Sequence, residues 1–269
     1  MPNIDRSVIR VNASLESEIE RKGQDYFIKL ASEHTDECIE KYKNLEQSFG
    51  GRYVCSDLFK EIFPLYNSDR NSRNLFISAV HNSSACLANE QFQRLAKDES
   101  ISDCVFLTGI PGAGKSFFIE SLRESGELKE NMVIYEGDIN SLDTIRQKIN
   151  VMQENGKKVH IIVVNPTIEL AYKNACKRLE IVGRGASKKT IARIASGIPG
   201  ALQTLNIEFK DLDIGIYDKK TNTDIKSYVG IENLDLLDHG SFNEILDELD
   251  QLEAKAKQIR EDRIERHIS

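Results

Sequence analysis

The sequence of 269 residues contains no tryptophan, few prolines and only five cysteines. The cysteines are odd in number, lie far apart, and never form the C-x-x-C spacing of zinc and redox sites; they are Cys38, Cys55, Cys86, Cys104 and Cys176. The pattern therefore predicts neither a disulfide framework nor a metal-binding cysteine cluster. A chain of this kind is typical of a reducing, cytoplasmic environment.

Long apolar runs and an excess of basic charge are also missing. The first residues lack the apolar segment of a signal peptide, and no window approaches the roughly 18 to 20 apolar residues of a membrane span. The formal net charge is −7, whereas a surface that follows nucleic-acid phosphates needs a basic excess. We therefore expect a soluble protein whose partners include no membrane and no nucleic acid. The 40% hydrophobic content is sufficient for one α/β core with an appendage.

The most informative stretch has the spacing G-x-x-x-x-G-K-S, and it follows the apolar run 105–107 and precedes a helix-like segment at 117–123. Strand, loop and helix in this order are the context that a phosphate-binding loop requires. Glycines allow several amide N–H groups to face a phosphate, and the helix directs its positive end toward it. The predicted nucleotide-binding residues are Gly109, Ile110, Pro111, Gly112, Ala113, Gly114, Lys115 and Ser116. Lys115 is expected to bind the β- and γ-phosphates, and the Ser116 hydroxyl is expected to coordinate Mg²⁺.

Strand-like and helix-like segments alternate around this loop. Strands are predicted at 131–138 and 159–164, helices at 142–155 and 169–180, and a last strand at 213–217. This alternation predicts a doubly wound α/β fold, in which helices cover both faces of a parallel sheet. Ligands of such folds bind outside the carboxyl ends of the strands.

Helical segments flank the predicted α/β region. Residues 1–50 carry two amphipathic patterns that end at two glycines, with apolar positions at Leu15, Ile19, Tyr26, Phe27, Leu30, Ile39, Tyr42, Leu45 and Phe49. Two further helices are expected at 188–195 and 199–206. The pattern of residues 241–269 predicts a charged helix with one apolar side. We therefore divide the chain into an extension at 1–50, a nucleotide-binding domain at 51–240 and a C-terminal helix at 241–269.

Three acidic residues lie at the ends of predicted strands: a short strand after Gly51 ends at Asp57, and the strand at 131–138 ends with Glu136 and Asp138. Asp57, Glu136 and Asp138 are candidates to accept a hydroxyl proton or to hold Mg²⁺ through water, although Asp57 and Asp138 also suit helix capping. The region that spans the predicted helices at 169–180 and 188–195 supplies arginines that would close over a γ-phosphate: Arg178, Arg184 and Arg193. Arg184 lies in the most flexible-looking part. The histidines His81 and His239 have no ligand-spaced neighbours, and we assign them no role.

These motifs together resemble the zeta toxins, P-loop kinases of toxin–antitoxin systems. The similar segments are the phosphate loop, the strand with Glu136-Gly, the strand 159–164 closed by Asn-Pro, Lys177-Arg178-Leu-Glu, the Arg184 segment and Pro199-Gly-Ala-Leu-Gln-Thr-Leu205. The resemblance implies a P-loop kinase-like fold and an enzyme that uses ATP and Mg²⁺. It also implies phosphorylation of UDP-N-acetylglucosamine on the sugar 3′-hydroxyl, which blocks cell-wall synthesis.

The chain departs from the family pattern in the position of one segment. In the family an aspartate-bearing strand lies between the phosphate-loop helix and the Glu-Gly strand, where this chain has only a short connection. The segment from Cys55 to Pro64 is similar to that strand, and we propose that it has moved upstream of the loop. On this interpretation Asp57 is the catalytic base and Glu136 contacts the acceptor. The alternative alignment makes Asp138 the base; we prefer Asp57.

A second departure concerns the segment that would close over the nucleotide, where the family uses a pair of arginines. Arg184 matches its motif, whereas Arg193 is displaced by about one helical turn. We retain Lys115, Arg184 and Arg193 beside Asp57 as the catalytic candidates, and Asp138 beside Glu136 as a substrate contact.

Residues 1–50 suggest a built-in inhibitor, because toxins of this family are held inactive by a small helical antitoxin. A tethered inhibitor has a high effective concentration. A packing extension or a dimer element is the alternative. Two other functions stay open: a P-loop kinase for another sugar or nucleotide, and a regulatory module that binds nucleoside triphosphate.

Overall fold

The computed structural model describes residues 3–183, 185–210, 212–221 and 224–268. A six-stranded sheet runs through the described part of the chain in the order β1-β3-β2-β4-β5-β6. The strands are β1 (Tyr53–Cys55), β2 (Asp103–Thr108), β3 (Met132–Glu136), β4 (Lys158–Pro166), β5 (Asp213–Lys219) and β6 (Ile225–Val229). All neighbours pair in parallel except β6, which is antiparallel to β5. The predicted P-loop kinase-like α/β fold is confirmed.

Helices connect and cover these strands. They are α1 (Glu18–Glu33), α2 (Thr35–Lys43), α3 (Ser56–Phe59), α4 (Pro64–Asn67), α5 (Arg70–Phe76), α6 (His81–Ala96), α7 (Lys115–Glu124), α8 (Leu142–Glu154), α9 (Ile168–Val182), α10 (Lys188–Glu208) and α11 (Phe242–Ile268). The parallel strands β2 and β4 are buried along nearly their whole length because helices lie on the sheet.

The pairing register places three strand ends side by side. Glu136 at the end of β3 pairs with Cys55 at the end of β1 on one side and with Leu107 of β2 on the other. Asp57 therefore follows β1 at the edge where the phosphate loop follows β2. The strand β1 ends two residues earlier than we predicted, so that Asp57 lies in the first turn of α3.

The two predicted N-terminal helices are present, and their apolar face is part of the main core. Tyr42 is fully buried, stacks on Phe59 with ring centroids 3.5 Å apart, and donates its hydroxyl hydrogen to the Tyr53 carbonyl oxygen of β1. Ile19 and Tyr26, which we expected on this face, are instead exposed by 61% and 39%. The domain boundaries at 50 and 240 stay predictions.

The end of the chain differs from the prediction in two places. The helices expected at 188–195 and 199–206 form the single helix α10, with Pro199 in its interior. Ile194, Ile198 and Leu202 continue one buried stripe through that proline, and this packing compensates for the lost hydrogen bond. The strand β6 was not predicted at all.

The C-terminal helix α11 is present as predicted. Ile245 and Leu249 are fully buried in the core, whereas Ile259 is 53% exposed. In the part of the chain that the structure describes, no helix combines the length and the apolar character needed to cross a membrane.

Candidate active site

The phosphate loop joins β2 to α7. At two of its glycines, neighbouring backbone atoms leave no space for a side chain. Gly112 has φ +84°, and a Cβ atom there would lie 2.1 Å from the Ala171 carbonyl oxygen of α9. A Cβ atom on Gly109 would lie 2.4 Å from the Val164 carbonyl oxygen of β4. The Asn174 amide of α9 also donates to the Gly112 carbonyl oxygen at 3.0 Å. Helix α9 and strand β4 therefore fix the shape of the loop.

Lys115 is the first residue of α7 and crosses back over the loop. Its Nζ donates to the Gly109 carbonyl oxygen at 2.9 Å and lies 3.6 Å from Glu136 Oε1. Ser116 follows in the first helical turn with its side chain exposed. This backbone cradle, one lysine and one exposed hydroxyl at the positive end of a helix fit the phosphates of a nucleotide and an accompanying Mg²⁺.

Glu136 is held in place from two directions. The Tyr53 hydroxyl of β1 donates to Oε2, and the Lys115 ammonium faces Oε1. Tyr53 is itself buried, and burial raises the pKa of its hydroxyl well above the usual value, so it remains a donor. Two neighbouring strands and the loop helix thus orient one carboxylate at the sheet edge.

Asp57 is half-exposed beside a buried lysine. Lys60, one turn later, places Nζ 2.8 Å from Asp57 Oδ1, and its own side chain is only 5% exposed. A cavity of about 470 Å³ opens next to this pair, with Lys60, His81 and the segment 10–13 in its walls. Burial lowers the pKa of His81, which disfavours its charged form.

Asp138 follows β3 and faces the opposite helix. Arg193 of α10 donates from Nη2 to Asp138 Oδ2 at 2.9 Å, and the Asn140 amide hydrogen bonds to Oδ1 at 3.1 Å. The structure thus brings together two of our candidates, Asp138 and Arg193. Arg178 is exposed on α9, and Arg184 lies outside the described residues.

Three residues of this site were missing from our sequence-based candidates: Tyr53, Asn174 and Lys219. The contacts of Tyr53 and Asn174 depend on which elements pack together, and the sequence carries no signal for them. Lys219 is the last residue of β5, at the strand edge where we considered only acids. It is 5% exposed, and its Nζ lies 5.3 Å from the centroid of the Phe117 ring of α7.

A second cavity, of about 380 Å³, opens between α7 and the end of β5. Gly114, Phe117, Tyr217 and Lys219 contribute to its walls. It therefore lies directly beside the first turn of α7, on the side of the phosphate loop away from Glu136.

Residues 129–228 match the model of the zeta toxin family. The matched region contains Glu136, Asp138 and Arg193 and begins after the phosphate loop. A comparison with curated proteins gives no match. The family match, together with the fold, supports a phosphotransferase of P-loop kinase type that uses a nucleotide, and it is consistent with a toxin. It covers less than half of the chain, and the proposed relocation of the Asp57 segment stays a prediction.

Proposed function

We propose that this protein is an ATP-dependent kinase that phosphorylates the sugar 3′-hydroxyl of UDP-N-acetylglucosamine and thereby acts as a toxin that blocks cell-wall synthesis. The observation that carries the proposal is the register of β1, β3 and β2. It aligns the ends of three strands, so that Asp57, Glu136 and Lys115 line one edge. The acceptor is chosen from the similarity to zeta toxins.

In the proposed reaction the loop amides and Lys115 hold the β- and γ-phosphates of ATP. Glu136 binds the acceptor, and Asp57 accepts the proton of its hydroxyl group while the oxygen attacks the γ-phosphorus. The bond between that phosphorus and the β,γ-bridging oxygen breaks, and ADP leaves. A bound Mg²⁺, held by Ser116, would neutralise charge on the β- and γ-phosphates. Lys60 fixes the position of the Asp57 carboxylate, with Nζ 2.8 Å from Oδ1.

The test is a phosphorylation assay that resolves products. The full chain is incubated with ATP, Mg²⁺ and separate acceptors: UDP-N-acetylglucosamine, other nucleotide sugars, free sugars and nucleotides. We expect a 3′-phosphorylated product from UDP-N-acetylglucosamine and none with Lys115→Ala. A product from another acceptor alone would identify a different kinase. ADP formation that does not depend on any acceptor would instead favour the regulatory module.

The base is tested with two matched substitutions. Asp57→Asn is expected to lower kcat by about 100-fold or more, the usual size of a lost general base. Asp138→Asn is expected to retain most activity, because that carboxylate already binds Arg193 and the Asn140 amide. Activity that survives Asp57→Asn and is lost in Asp138→Asn would reverse the assignment.

The inhibitory role of residues 1–50 is a further part of the proposal. Deletion is a poor test, because Tyr42 packs on Phe59 and hydrogen bonds to β1. Expression of the full chain is a better test. Cell growth should stay unchanged if residues 1–50, or a separate antitoxin in the cell, keep the site closed. Growth arrest by the full chain alone, absent with Lys115→Ala, would contradict a built-in inhibitor and support the toxin.

A further inference from the structure

Four lysines are buried in the described part of the chain, and Lys219 differs from the other three. Lys60 pairs with Asp57, Lys148 donates to the Asn89 side chain at 2.6 Å, and Lys157 donates to two carbonyl oxygens at 2.7 Å. Within the described residues, Lys219 has no acceptor at hydrogen-bond or ion-pair distance. A partly buried ammonium without an anion is costly, and burial accordingly lowers the pKa of Lys219.

The position of Lys219 Nζ adds to that cost in the absence of a ligand. It lies 3.0 Å from the point where a Cβ atom on Gly114 would be, and Gly114 is the residue that caps α7. The first amides of a helix carry partial positive charge, so the lysine and the helix end repel each other. An anion between them would satisfy both groups at once.

The sheet order shows which part of a nucleotide this anion would be. Strand β3, with Glu136, lies on one side of the loop strand β2, and β4 and β5 lie on the other. Under the proposed function the transferred γ-phosphate must face the acceptor side, where Lys115 meets Glu136. The phosphate nearest the nucleoside then lies toward β5 and toward the cavity of about 380 Å³ beside Gly114 and Phe117.

We propose that Lys219 binds the α-phosphate of the nucleotide, as a second cation supplied by β5 opposite Lys115. This inference rests on the proposed function for the identity of the nucleotide. It explains why a lysine lies at the end of a buried strand with no acceptor among the residues that the structure describes. Without nucleotide Lys219 lowers stability, and with nucleotide it contributes affinity.

The experiment compares Lys219→Met with Lys220→Met, an exposed neighbour, in the full chain. Affinities for ATP, ADP, AMP and adenosine are measured by calorimetry, and the Tm of each variant is measured without ligand. We expect Lys219→Met to lose about tenfold to a hundredfold in affinity for all three phosphorylated ligands, as for a hydrogen bond to a charged group. Its affinity for adenosine should not change, and its Tm should rise. Lys220→Met should behave as the wild type.

Several outcomes would overturn the inference. Unchanged AMP affinity in Lys219→Met would show that the lysine does not reach the α-phosphate, and a lower Tm with equal losses for adenosine would show a structural role. If the wild type binds ATP and phosphorylates an acceptor while Lys219→Met binds ATP equally well, only this inference fails. If the wild type binds none of the phosphorylated ligands, the proposed function fails with it.

Discussion

The two sides of the phosphate loop differ in how their charges are paired. On the β3 side, Glu136 lies between the Lys115 ammonium and the Tyr53 hydroxyl, and Asp57 faces Lys60. On the β5 side, Lys219 is buried beside the start of α7, and the described residues provide it with no acceptor. One side is electrostatically complete without a ligand, and the other lacks an anion.

Under the proposed function, this difference separates two tasks within one site. Groups that act on an acceptor must be oriented before it arrives, because misplaced catalytic groups cost rate. A phosphate-binding group can stay unpaired, since the ligand brings the opposite charge, and the cost appears only as lower stability of the ligand-free protein. The comparison therefore predicts opposite effects on stability when charges are removed from the two sides.

The largest effect should come from the loop between the two sides. Gly112→Ala places a methyl group against the Ala171 carbonyl oxygen and imposes a left-handed backbone on alanine. We expect a loss of about 3 kcal/mol in the free energy of unfolding and a loss of ATP binding, measured by denaturant titration and calorimetry. Gly126→Ala is the control: its φ is +74° but no atom lies within 4 Å of the added methyl group.

The control should lose only about 1 kcal/mol, the conformational part alone, and should bind ATP normally. Equal losses in the two variants would mean that close packing against α9 does not shape the loop.

A smaller effect should separate the two lysines of the site. Lys115→Met removes the cation that faces Glu136 Oε1 and the donor to the Gly109 carbonyl oxygen, and we expect it to lower the free energy of unfolding by about 1 to 2 kcal/mol. Lys219→Met removes a buried charge and should raise it. Both variants are measured by urea titration without nucleotide. If the free energy of unfolding changes with the same sign in both variants, the proposed difference between the two sides of the loop is wrong.

The smallest effect extends the comparison to a buried lysine outside the site. Lys148 Nζ lies 4.4 Å from the centroid of the Phe92 ring and 4.6 Å from that of the Tyr135 ring, and burial lowers its pKa from 10.5 to about 8. Between these values the unfolded chain binds more protons than the folded protein, so the free energy of unfolding rises with pH. The expected contribution is about 1 kcal/mol from pH 7.5 to pH 9.

The measurement is a series of urea titrations across this pH range for the wild type and Lys148→Met. The difference between the two isolates the lysine from other groups that titrate at the same pH. A difference that stays constant with pH would show that the lysine keeps its ordinary pKa in the folded protein.

Local patterns predicted the parts of the fold that depend on local chemistry. The loop glycines, the strand before them and the helix after them follow from residues close together in the chain, and the structure contains all three. Helix α10 shows the limit of this reasoning, because Pro199 predicts a break that burial of Ile198 and Leu202 overrides. The position of Ile19 on the exposed face is a similar case, since periodicity alone does not show where a core begins.

The sequence by itself determined that a phosphate loop exists, that parallel strands surround it, and that acids follow those strands. These features depend on backbone freedom, periodicity and the fixed direction of parallel strands. Only the tertiary structure decided that β1 lies beside β3, that Tyr53 and Lys115 hold Glu136, and that Lys219 reaches the start of α7. Those contacts join residues far apart in the chain, and the strand order that brings them together depends on the packing of the whole core.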